Sequence, residues 1–345
     1  MADFHKLRVN DIVRETPSSV SLSFDIPSDI KNEFLFIQGQ YITLKLSVND
    51  EELRRCYSIC TSPNDGELRV AVKKVEDGRV STWLNERLKV GDQLDVLPPR
   101  GNFYTVLDSS NSKNYILFAG GSGITPVISI TKAVLEKEPN SKVVLFYGSL
   151  TETEIIFKDK LDEIKEAYSD RFSCHYILDA PKGKIDELYQ GIMTIDKIKT
   201  LMDMFVDINS DNEYFICGPP GMKDNAMEAL KNLGIEKSRT HIEIFTSDPD
   251  LELNAADTGD GEPVSSCDVT IILDGDEYTA NMNGDGNILD VALNKGIDAP
   301  FSCKGGMCST CRAKLISVLT EPIARQLTAM FFSSNSSAKH SDNIE

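Results

Sequence analysis

The stretch AGGSGITP, Ala119 to Pro126, decides how the middle of this chain folds. It follows the apolar run NYILFAG and precedes TPVISITKAVLEKE, whose apolar residues recur at helical spacing with Pro126 near the first turn. Strand, glycine turn and helix in that order suit a phosphorylated nucleotide. Glycines let the main chain approach a pyrophosphate, and the helix start supplies free N–H groups and the positive end of its dipole. The turn departs from G-x-G-x-x-G, since Pro126 stands where a third glycine would be.

Further strands are read in KVVLFYGS, EYFICG and THIEIF, with a helix in PGMKDNAMEALKNLG ending at Gly234. This alternation predicts an α/β domain over 107–245, built on a mostly parallel sheet with helices on both faces. Upstream, residues 1–106 alternate in short apolar runs: SVSLSF, YITLKL, RCYSIC, ELRVAVKKV and DQLDVLPP, with Asn64-Asp65-Gly66 as a hairpin turn. An antiparallel β-barrel is expected there. Downstream, residues 246–266 are acidic and rich in Gly, Pro, Ser and Asp, the composition of a linker. CDVTIILDGDEYTANM then reads as a hairpin, and GNILDVALNKG as a short helix capped by Asn287 and stopped by Gly296. From Ser317 no strand alternation is visible, so 267–316 is read as an incomplete α+β domain and 317–345 as an atypical tail with a disordered end.

A chain of 345 residues with 41% hydrophobic content has room for two or three domains. A formal net charge of −18 argues against nucleic acid and against an anionic membrane surface as partners. The start, MADFHKLRVND, lacks the apolar core of a secretory signal, and a soluble cytoplasmic protein is expected. Of eight cysteines, Cys303, Cys308 and Cys311 stand in FSCKGGMCSTC with the C-x4-C-x2-C spacing of a plant-type [2Fe–2S] loop, which needs a fourth cysteine further on. None follows Cys311. His5, His175, His241 and His340 are scattered singly and form no hydrolase pattern.

Three pieces in order, RCYS (Arg55 to Ser58), the glycine turn and CGPPGM (Cys217 to Met222), resemble the ferredoxin–NADP reductase family over roughly residues 5–245. The resemblance implies a flavin-binding barrel. Arg55 would neutralise the phosphates of FAD, Tyr57 would pack on its isoalloxazine ring, and Ser58 would bond near flavin N5. Gly78, Val80, Ser81 and Thr82 in GRVSTWL would carry the flavin pyrophosphate; helix capping is the plainer role for Ser81 and Thr82. Gly121, Gly123 and Thr125 would hold NAD(P)H, while Cys217, Gly218 and Pro219 would line its nicotinamide. Glu243 and Phe245 would sit beside the flavin, with Ser58, Cys217 and Glu243 nearest the chemistry. A core aromatic and a buried strand-end thiol are the plainer readings of Phe245 and Cys217. Leu150-Thr151-Glu152 and Asp179 offer no cation for a 2′-phosphate, which favours NADH.

Residues 267–315 resemble the [2Fe–2S] ferredoxin domain that some of these reductases carry, in the order used by reductase components of multicomponent oxygenases. An oxygenase is then the implied electron acceptor. Three readings of the missing cysteine stay open: a truncated or frameshifted end that leaves the ferredoxin domain incomplete, His340 as substitute ligand, or a site that takes zinc or stays empty. The first would leave a flavin-only diaphorase, and a non-catalytic nucleotide-binding or zinc-binding protein is the alternative of another class.

Overall fold

A computed structural model of the chain describes residues 3–245, 266–273, 275–283, 288–297, 299, 313–321 and 324–331. It divides into two compact units, the first Ala2–Ser247 and the second from Asp248 onward. The acidic stretch 246–265, the Asn287 cap, the cysteine loop with Cys303, Cys308 and Cys311, and His340 lie outside the described residues.

The first unit begins with six antiparallel strands: β1 (His5–Thr16), β2 (Ser19–Asp25), β3 (Tyr41–Val48), β4 (Glu51–Ser58), β5 (Leu68–Lys73) and β6 (Gln93–Arg100). Their order is β4-β3-β6-β1-β2-β5, and an Ile59–Val70 bridge joins the two ends, so the sheet closes into the expected barrel. Alternate residues, among them Leu7, Val9, Leu22, Leu44, Val70, Val72 and Val96, fill its interior. Each such side chain contributes roughly 1.5–3 kcal/mol by leaving water. One helix, α1 (Arg79–Glu86), packs on this core through Val80 and Leu84.

Asn64-Asp65-Gly66 does not form a simple hairpin turn. Ser62 accepts the Asn64 N–H at 3.2 Å and Asp65 accepts the Ser62 N–H at 2.7 Å. That reciprocal cap winds Pro63–Asp65 into a single 3-10 turn, which ends on Gly66 at φ +70°.

The rest of the first unit carries five parallel strands, β7 (Asn114–Gly120), β8 (Lys142–Ser149), β9 (Phe172–Leu178), β10 (Asn212–Cys217) and β11 (Thr240–Glu243). Four helices accompany them: α2 (Ile124–Lys137), α3 (Lys158–Ala167), α4 (Ile195–Phe205) and α5 (Pro220–Asn232). Both faces of β7 are buried, so its period of two sorts side chains between two cores. Tyr115, Leu117 and Ala119 join α2 and α3, while Ile116 and Phe118 join α4 and α5. The strand order β11-β10-β7-β8-β9 runs outward from β7 in both directions, which is a doubly wound sheet.

Barrel and sheet meet at α2. Ser129 donates to the Thr61 carbonyl at 2.7 Å, Glu136 accepts from Ser62 at 2.5 Å and from Asn64 at 3.0 Å, and Lys132 pairs with Asp65. Phe103 meets Phe215 edge-on at 5.4 Å, carrying the apolar contact across.

The second unit contains β12 (Ser266–Leu273), β13 (Asp276–Asn283), α6 (Ile288–Asn294), β14 (Ala313–Glu321) and β15 (Ala324–Phe331). Val269, Ile271, Leu289, Ala292 and Ile297 form its core. The expectation that no strand structure follows from Ser317 onward is corrected here. β15 lies parallel to β12 and antiparallel to β14, in the order β13-β12-β15-β14. A register shift between Leu315 and Ser317 inserts one residue into β14 and breaks the alternation that would have announced a strand. Among the described residues no helix is long and apolar enough to cross a membrane.

Candidate functional site

In a doubly wound sheet the crevice for a ligand opens at the carboxyl ends of the strands where the winding reverses. Here that point lies between β7 and β10, where Cys217, the last residue of β10, pairs with Ala119 near the end of β7. Both glycine-containing motifs end on it, and they interlock. A Cβ added to Gly123 would lie 2.0 Å from the Cys217 carbonyl oxygen and 2.9 Å from Gly218 N. One on Gly120 would meet Pro219 Cδ at 2.6 Å, and one on Gly218 would meet Met222 Cε at 2.5 Å. Only residues without a side chain let these two loops pass so closely.

Gly121 takes a left-handed φ of +53°, turning the chain into the 3-10 turn that precedes α2. Thr125 is buried, and its hydroxyl donates to the Ser122 carbonyl at 3.0 Å, bracing the turn from within. No side chain caps the start of α2, whose first N–H, that of Ile124, closes the glycine turn on the Gly121 and Ser122 carbonyls.

Cys217 is fully buried, next to Glu243 in the parallel register of β10 and β11. Burial, and secondarily the Glu243 charge, push its thiol well above the ordinary range. A neutral thiol therefore faces this end of the sheet at physiological pH. Phe245 is half-buried and packs against the core cluster that contains Cys217.

On the barrel, Arg55 and Tyr57 are two residues apart on β4 and share one face, while Ser58 turns to the other and is buried. Arg55 donates to the Arg54 carbonyl at 2.8 Å. Burial raises the Tyr57 hydroxyl pKa and the Arg55 charge partly opposes it, so the phenol stays neutral. At the start of α1, a Cβ on Gly78 would strike Ser81 Oγ and Val75 Cγ2, each at 2.4 Å. The Ser81 hydroxyl accepts the Val75 N–H at 3.3 Å and donates to the Gly78 carbonyl at 3.2 Å, and Thr82 N–H bonds to the same carbonyl at 2.9 Å. Neither hydroxyl caps the helix, whose start has no side-chain cap. A tight glycine cradle with open N–H groups, an arginine and a neutral aromatic fit a flavin with its pyrophosphate.

Two features escaped the sequence. Lys73, at the end of β5, brings its ammonium within 3.8 Å of the Cβ position at Gly121, so a barrel cation stands beside the glycine turn. The strand pattern LRVAVK marks Lys73 only as a strand residue. The second is at the far end of the sheet, where the Lys182 main-chain N–H donates to both Glu152 carboxylate oxygens, at 3.1 and 3.2 Å; main-chain hydrogen bonds, from Glu152 itself first and from Lys182 next, with the Lys182 charge adding least, hold that carboxyl below the usual range.

Comparison with known proteins agrees with this division. An oxidoreductase FAD-binding domain family matches residues 6–104, an oxidoreductase NAD-binding domain family 117–228, and a 2Fe-2S iron-sulfur cluster binding domain family 271–329. The chain is 36% identical over 318 residues to one of the polypeptides of the 1,2-phenylacetyl-CoA epoxidase of Escherichia coli, covering 92% of this chain and 88% of that protein. It is 33% identical to the ferredoxin reductase component of 3-ketosteroid-9-alpha-monooxygenase from Rhodococcus rhodochrous, with 90% and 85% covered. In fold it is similar to an intact type IV self-sufficient cytochrome P450 monooxygenase, with a TM-score of 0.66 at 20% identity over 94% of this chain and 41% of that one. The FAD/NAD-binding domain of a Vibrio cholerae nitric oxide dioxygenase gives a TM-score of 0.60 at 24% identity, with 70% and 99% covered.

Proposed function

The chain belongs to the ferredoxin reductase family of oxygenase reductase components, and from that premise we propose that it draws electrons from NAD(P)H and delivers them to a multicomponent oxygenase. An oxygenase acting on a coenzyme A thioester is favoured, because the relative that is 36% identical belongs by its name to a 1,2-phenylacetyl-CoA epoxidase. The observation that carries the reading is the interlock of Gly120–Gly123 with Cys217–Gly218 at the switch point, within reach of a barrel cation.

FAD, when bound, supplies the conversion of a two-electron hydride into single electrons that a [2Fe–2S] centre can accept. The chain's own residues bind and orient. Arg55 would neutralise flavin phosphate, Tyr57 would cover the ring, and Ser58 would offer a hydroxyl to the flavin. Gly78, Val80, Ser81 and Thr82 hold the flavin pyrophosphate on the open start of α1. Gly121, Gly123 and Thr125 seat the dinucleotide phosphates, with Lys73 adding charge. Cys217, Gly218 and Pro219 form an apolar wall for the nicotinamide that keeps water out, and Glu243 and Phe245 close the flavin side. Cys303, Cys308 and Cys311 would supply thiolates to the cluster. Among the described residues Cys60, Cys174 and Cys217 carry free thiols, which suits a reducing cytoplasm.

A second reading rests on one observation: no cysteine follows Cys311. With three thiolates the flavin half would oxidise NAD(P)H and reduce small acceptors, while delivery to an oxygenase would fail. An anaerobic absorption spectrum with iron analysis, before and after adding NADH or NADPH, tests both. Flavin absorbance bleached by the nucleotide, together with stoichiometric iron, supports full electron delivery. Bleaching without iron supports the diaphorase. Protein without flavin, or flavin that neither nucleotide reduces, overturns both.

A further inference from the structure

Tyr147 belongs to none of the motifs above, yet it is completely buried in β8. Its hydroxyl donates to the Gly121 carbonyl at 3.1 Å and accepts the Ile156 N–H at 3.2 Å. The same carbonyl also accepts the Ile124 N–H that closes the glycine turn, so Gly121 O is held from two sides. A peptide unit is planar and trans. Fixing the Gly121 carbonyl therefore fixes the direction of the Ser122 N–H, which points from the opposite edge of the same plane, away from Tyr147. The turn needs such a restraint, because a glycine near φ +53° has other backbone wells of similar energy.

On its other side the hydroxyl holds a segment that is itself constrained. Phe157 adopts φ +61°, a left-handed conformation costly for a bulky residue, and Ile155, Ile156 and Phe157 are all buried. Just before them, Glu154 accepts from Ser18 of the barrel at 2.5 Å. The loop after β8 is thus tied to the barrel, and one phenol oxygen ties it in turn to the glycine turn.

We propose that Tyr147 is a positioning residue for the nicotinamide dinucleotide, its hydroxyl setting the Gly121–Ser122 peptide plane so that the turn's N–H groups face the pyrophosphate. This rests on the nucleotide-binding reading given above. A phenylalanine would occupy the same space with the hydroxyl gone, leaving Gly121 O with one bond fewer and the Ile156 N–H unpaired.

The test is Tyr147→Phe in the full flavin-loaded chain, with ADP-ribose binding followed by calorimetry beside flavin content, melting temperature and NADH–ferricyanide kinetics. The Kd for ADP-ribose and the KM for NADH are each expected to rise about fivefold to tenfold, while kcat stays within about twofold and flavin content is unchanged. A lowered melting temperature with an unchanged Kd would overturn the proposal and leave Tyr147 a purely structural residue. Wild-type protein that does not bind ADP-ribose would instead overturn the nucleotide-binding reading, and this inference with it. Should Tyr147→Phe not fold, hydrogen exchange on the wild type decides. ADP-ribose is expected to slow the Ser122 and Ile156 amides together, and slowing at Ser122 alone would refute the link.

Discussion

The unit Ala2–Ser247 and the unit that follows it hold their chemistry in different ways. In the first, the proposed site is made largely of main chain: a glycine turn against a strand end and a glycine cradle at a helix start. Many side chains could vary around it. In the second, the proposed chemistry rests on the thiolates of Cys303, Cys308 and Cys311, three where a plant-type [2Fe–2S] centre takes four. A main-chain cradle tolerates loss of side chains but not the gain of one. A ligand set is the reverse, since a missing thiolate has no substitute in the packing of the sheet.

The sharpest way to break this contrast is Gly123→Ala, because the new methyl would lie 2.0 Å from the Cys217 carbonyl, a main-chain atom that cannot step aside. We expect ADP-ribose affinity to fall by about a hundredfold, with a stability loss of a few kcal/mol from the forced separation of β7 and β10. Titration and thermal melting measure both. An alanine variant that binds like the wild type would mean that the interlock is not what builds the site.

A smaller effect, confined to the second unit, is expected from Cys308→Ser. Whatever iron the chain retains should drop by more than about half, and the NADH–ferricyanide rate should stay within about a factor of two of wild type. A diaphorase rate that fell with the iron would show that the first unit depends on the second, and the contrast drawn above would fail.

Much of the first unit was legible because its signals are local. The runs around Leu22, Leu44 and Val70 alternate cleanly, Pro126 marks a helix start, and glycines stand where strands end. Tyr147 and Lys73 were not legible, since Tyr147 bonds to the Gly121 carbonyl, 26 residues away, and Lys73 reaches the same turn from the barrel. No spacing rule connects such pairs; only the winding of the sheet does. The end of the second unit was misread for a different reason. The extra residue in β14 shifts the pattern so that Leu315 and Val318 pair with Ala329 and Leu327, three residues apart on one strand and two on the other. A period-two reading cannot survive that bulge.

The least effect on the site is expected from Glu213, at the opposite end of β10 from the crevice. Burial would raise its carboxyl pKa, but His241, Lys113 and Thr105 gather on it and hold it at about 2, against an ordinary 4.5. Lys113 Nζ lies 2.5 Å from one oxygen, and His241 Nε2 3.5 Å from the other. Because the folded-state pKa is depressed, the pairing stabilises the fold fully above about 4.5, and that contribution is lost as pH falls from there towards about 2. Its size at neutral pH is no more than about 3 kcal/mol. Glu213→Gln should therefore melt lower than wild type at pH 7, and the gap should narrow steadily in acid while the affinity for ADP-ribose is unchanged. A gap that persisted undiminished at the acid end would mean that the carboxylate's charge is not what stabilises this end of the sheet, and that its shape and packing are.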